Sequence, residues 1–75
     1  MNNERRKQIA KVVETLQEAQ SEITSIASDE RDYYDNMPEN MRDGDKGQRA
    51  DEVASELENI DSSLQDLISQ LEECV

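Results

Sequence analysis

A heptad repeat that stops and restarts constrains this chain more than any other feature of its sequence. Apolar residues alternate in steps of three and four through Ile9, Val12, Leu16, Ala19, Ile23 and Ile26, break at Glu30, and continue at Tyr33 and Met37. After a polar interval around Pro38 the repeat resumes through Ala50, Val53, Leu57, Ile60, Leu64, Leu67, Leu71 and Cys74. Steps of three and four put side chains on one face of an α-helix, whereas a strand needs alternation every second residue. Two long amphipathic helices joined by a short turn follow, and folded on each other they make an all-α antiparallel hairpin. Disorder is the competing reading for an acidic chain only 33% hydrophobic. Disordered chains, however, do not keep apolar residues in register over many turns.

The boundaries come from breakers and caps. The first helix is predicted over about residues 4–35, the turn over 36–45 and the second helix over 46–73, all within one domain, 1–75. Asn2 or Asn3 suits the first helix cap. Pro38 disfavours helical geometry at Met37, so the first helix stops before it, with Asn36 as a C-cap or as the cap of a short turn over Pro38 to Met41. Asp43 or Asp45 suits the N-cap of the second helix, and Asp45 and Gln48 stand at capping-box spacing. Met37 and Met41 are placed to fold over Tyr33 or Tyr34 and seal the tip. The helices are expected to splay there, letting Glu30 reach solvent, Arg31 or Arg49.

The apolar stripe is wider than one helix–helix seam. Val13, Ala27 and Tyr34 flank the first core line, and Ala54, Ile68 and Val75 flank the second. Two helices alone would leave much of this exposed, and 75 residues without Phe or Trp make a small core. A homodimer closing a four-helix bundle is the simplest remedy. Its expected core and dimer residues are Ile9, Val12, Leu16, Ile23 and Ile26 of the first helix, with Val53, Leu57, Ile60, Leu64, Leu67 and Leu71 of the second.

Charge and chemistry narrow the function. The net charge of −11 opposes direct binding to nucleic acid or anionic membranes and favours basic partners. Arg5, Arg6, Lys7 and Lys11 cluster at the start, while Ala50 to Val75 holds eight carboxylates and no basic residue. In an antiparallel hairpin Arg5 to Lys7 would meet Glu72 and Glu73. There is no histidine, and the single cysteine, Cys74, has no base partner, so nucleophilic triads and zinc-protease motifs are excluded. Cys74 reads as filler at a helix end. The segment Asp43-Gly44-Asp45-Lys46-Gly47 fails as a calcium loop, with Gly47 at the third ligand position and Ala54 at the twelfth. No catalytic residue, cofactor or metal is expected. No stretch has signal-peptide character or membrane length, which predicts a soluble cytoplasmic protein.

The turn reads Tyr34-Asp35-Asn36-Met37-Pro38-Glu39-Asn40 and leads into an acidic helix. It resembles a group of small helical-hairpin proteins from bacteriophages and mobile elements. These share a glutamate-rich first helix, the same seven turn residues and a second helix. The resemblance spans roughly residues 22–64. Members commonly carry leucine after the second asparagine, where this chain has Met41, and often a serine near the second helix start, where it has Asp43 or Asp45. The resemblance implies a phage or prophage context, hence the cytoplasm of a bacterial host, and little about mechanism.

Three non-enzymatic functions fit. The first is a factor that binds a host protein and inhibits or redirects it, with Tyr33, Tyr34, Asn36, Met37, Pro38 and Met41 as contact residues. The same six could equally plug the bundle end. The second is a structural or assembly part that homo-oligomerises. The third is a nucleic-acid mimic, in which Asp51, Glu58, Asp61 and Asp66, with Glu14, Glu18 and Glu22, stand in for phosphates against a DNA-binding protein. A solvated acidic face is the plainer account of those carboxylates.

Overall fold

A computed structural model of the chain describes residues 2–75. Asn2 caps the first helix, its side-chain Oδ1 accepting from the Arg5 N–H at 2.8 Å. Helix α1 runs Asn3–Asp35 and closes at Asn36, whose N–H donates to the Asp32 carbonyl at 3.0 Å. Pro38, with φ −59°, then starts the single turn of α2, Glu39–Arg42. Pro suits this place because its missing N–H would be unpaired there anyway. Helix α3 runs Asp45–Glu72 and returns antiparallel along α1, and no strand occurs among the described residues. The result is an all-α helical hairpin, a rod with extents of 59 × 14 × 12 Å. No helix among the described residues is long and apolar enough to cross a membrane.

The start of α3 differs from expectation. Its N-cap is Gly44, with extended backbone and no side-chain cap bond. Asp45 already lies inside the first turn, so the Asp45–Gln48 capping box does not form. Gln48 Nε2 donates instead to the Asp43 carbonyl at 3.5 Å. Two residues into α3, Gly47 is buried against α2, and a Cβ there would run into the Arg42 backbone. Only glycine lets α2 and α3 approach this closely.

Half of the expected core line is displaced by one residue. Ile9, Leu16, Ile23 and Met37 of the first segment, and Ala50, Leu57, Leu64 and Leu71 of α3, lie in or beside the seam as expected. The alternate positions do not. The most buried side chains are Val13, Ala27, Met37, Ala50, Ala54 and Ile68, none more than 8% exposed. Gln20, Tyr34 and Asp61 continue these lines, half-buried. Val12, Ile26, Ile60 and Leu67, expected in the core, stand outside the seam, while Val53 is half-buried.

The reason is a choice between two seams. Each heptad carries three apolar-compatible positions, and a two-helix contact uses only two of them. The line through Ala27, Ala50 and Ala54 allows close approach, and its polar members Gln20 and Asp61 bond to each other. The tip is accordingly the tightly packed part of the rod, where splaying was expected. Glu30, half-buried on the seam line, forms no ion pair among the described residues.

Candidate interaction surfaces

Because both helices use the same pair of heptad positions in the seam, the hairpin has two unlike sides. In an antiparallel pair, equal offsets from the seam fall on the same side on both helices. One offset is polar on α1 and α3, and the other is apolar on both.

The polar side is tied across the seam at two places. Arg31 Nη1 donates to Asp51 at 2.8 Å, and its Nη2 to Glu58 at 2.9 Å and to Ser55 at 3.2 Å. Hydrogen bonds to Glu58 first and Asp51 second hold the guanidinium above the usual arginine range. A forked guanidinium shared between two carboxylates has a geometry that simple surface ion pairs lack. Eleven residues earlier, Gln20 Nε2 donates to Asp61 Oδ1 at 3.1 Å, and Thr24 Oγ1 donates to Asp61 Oδ2 at 3.0 Å. Three of the four α3 carboxylates expected to imitate phosphates, Asp51, Glu58 and Asp61, are therefore engaged within the hairpin itself. The expected pairing of Arg5, Arg6 and Lys7 with Glu72 and Glu73 is not formed. Lys7 and Glu73 stand two residues from the seam positions Ile9 and Leu71, which points both away from it.

The apolar side has no such ties among the described residues. Val12, Ile26, Tyr33, Ile60 and Leu67 are each 42–55% exposed. Val12 lines one groove with Ile9 and Leu71, and Leu67 lines another with Leu16, Leu64 and Cys74. The remaining members follow at seven-residue intervals, so the strip continues towards the tip. Cys74 is exposed at the end of this strip, its Sγ 3.6 Å from the Gln70 carbonyl, and fills no core position.

The tip does not bring its six candidate contact residues into one surface. Met37 is buried, and Tyr34 is half-buried with the guanidinium carbons of Arg31 and Arg42 at 5.7 and 5.9 Å from its ring centre. These two pack into the tip of the hairpin. Tyr33, Asn36, Pro38 and Met41 face solvent, so Met41 does not join Met37 in sealing the tip. Arg42 fixes the turn from below: its Nε donates to the Met37 carbonyl at 3.1 Å and its Nη2 to the Asp35 carbonyl at 3.3 Å. A cation there also suits the negative end of the α1 dipole.

Sequence reasoning missed Arg31, Arg42, Gly47 and the Gln20–Thr24–Asp61 node as organising residues. One signal was available. Gln20 and Asp61 interrupt otherwise apolar lines, and polar seam residues need partners. Comparison with known protein families, with curated proteins and with solved structures finds no match for this chain.

Proposed function

We propose that this chain is a non-enzymatic protein-interaction module, a phage- or prophage-type accessory protein that binds a host protein and inhibits or redirects it. The observation that carries the reading is the division of the hairpin into a self-satisfied polar side and an uncovered apolar side. A rod that ties Arg31, Asp51, Glu58 and Asp61 across one side and leaves large aliphatic side chains in water on the other is built for protein contact, since exposed apolar strips mark interaction sites. The tip supplies a second, smaller surface. There Tyr34 and Met37 anchor the turn while Tyr33, Asn36, Pro38 and Met41 are held outward, a favourable set of contact residues on a fixed turn.

The test is capture from bacterial lysate on the tagged chain, eluted in salt steps and read by mass spectrometry. One dominant protein surviving high salt is expected, because apolar contact is not screened by salt. Tyr33→Ala with Met41→Ala should lose that protein while circular dichroism stays unchanged. A set of DNA-binding proteins leaving at low salt would replace this reading with nucleic-acid mimicry. Recovery of the bait alone would replace it with a self-assembling structural part.

A further inference from the structure

The hairpin leaves more of itself in water than a folded chain of its mass does. Its accessible surface is 5594 Å², whereas a compact monomer of 8.6 kDa exposes about 4,700 Å². The excess of about 900 Å² is close to the ~800 Å² that each partner gives up in a standard-size interface. One whole flank of the rod, 59 Å by 14 Å, projects to about 800 Å², so a second copy has room for an interface of that class.

We infer that this side is occupied by a second copy of the chain, two hairpins closing face to face into a four-helix bundle. The inference rests on reading the chain as a protein-contact module: it gives the apolar side to a second copy and leaves the exposed tip, Asn36, Pro38 and Met41 with Tyr33 at the end of the strip, for a host protein. Repeat spacing favours a second copy over a single foreign helix. The strip recurs every seven residues on both helices, a rise of roughly 10 Å, so an identical strip presents ridges at the same interval. A twofold interface requires that self-complementarity. One foreign helix would fill the groove between α1 and α3 and leave the outer flanks of the strip wet.

Charge distribution points the same way. Two chains of −11 repel, but the Arg31 clamp and the Asp61 node lie on the opposite side, so closing the apolar sides turns these carboxylates outward. Packing supplies the remaining reason. Ile68 is the one large side chain fully buried within a single hairpin among the described residues. Leu16, Ile23, Leu57 and Leu64 are half-buried on the shared seam line, and a second apolar face laid on them completes their burial.

Analytical ultracentrifugation of the full chain, with circular dichroism on the same samples, tests this. The native chain should sediment at twice its 8.6 kDa mass, with a melting temperature that rises with concentration. Ile26→Glu with Leu67→Glu, on the apolar side, should abolish the dimer. Unfolding of that variant counts equally, because both residues stand outside the hairpin's own seam. Ser28→Glu with Gln65→Glu, which adds the same charge to the polar side, should leave the dimer intact. A native chain that remains fully helical at 8.6 kDa over the whole concentration range overturns the inference, as does a dimer lost only in the Ser28/Gln65 variant. A monomer that still captures one host protein leaves the interaction reading standing, whereas a monomer that captures nothing removes both.

Discussion

The tip half and the open half of this hairpin are held by different means. Towards the tip the seam is lined by Ala27, Gly47, Ala50 and Ala54, all buried, and Arg31 bolts α1 to α3. Towards the open end the seam holds larger residues, Ile9, Val13, Leu16, Leu64, Ile68 and Leu71, and only Val13 and Ile68 are buried. Small residues allow close helix approach and satisfy themselves within one hairpin. Large residues on a two-helix seam keep one flank in water until something covers them. The seam of the tip half is thus closed on its own, while the seam of the open half, like the exposed strip of Val12, Ile26, Tyr33, Ile60 and Leu67 that runs along both halves, is covered only by association.

Breaking the open half should have the largest effect. Leu64→Asp puts a carboxylate on the line shared by the hairpin seam and the apolar side. A loss of roughly 3 kcal/mol or more is expected, enough to remove most of the helical signal of so small a domain. Unchanged ellipticity and melting would show that Leu64 is not a seam residue.

Gly47→Ala attacks the tip, forcing a Cβ against the Arg42 backbone. The expected cost is about 1–3 kcal/mol, as for other overpacked sites, with faster amide exchange in α2 and the first turn of α3. A variant that melts with the native chain would mean that α2 yields without cost. Arg31→Met should act least. It keeps the apolar stem and removes the fork, so melting should fall by a few degrees and exchange should rise near Asp51 and Glu58. Equal loosening at the open end would contradict the division between the halves.

Much of the architecture was legible because it is local. The three-and-four spacing, the break at Pro38 and the caps at Asn2 and Asn36 all act within a few residues. The seam was legible only in part. Val12 and Val13 are adjacent, equally apolar and both compatible with a heptad line, as are Leu67 and Ile68. What decides between them is a pairing across 41 positions, Gln20 with Asp61, and the size of Ala54 where the helices come close. The tip residues divide for the same reason. Tyr33 and Tyr34 are indistinguishable by composition, and Tyr34 turns inward because Arg31 and Arg42 are both beside it. Gly47 gave no local hint of its role, since the atoms it avoids belong to another helix.

Both ends of the described chain emerge at the same end of a rod 59 Å long. Pulled by those ends, the hairpin does not slide along its seam; it unzips, loading one layer of contacts at a time. Ile9 and Leu71 yield first, the Gln20–Asp61 node next, and the Arg31 clamp and the closely packed turn at Gly47 last. The molecule is mechanically soft where it is open and stiff where it turns, so tension on its termini would strip the apolar side of its shape long before disturbing the tip.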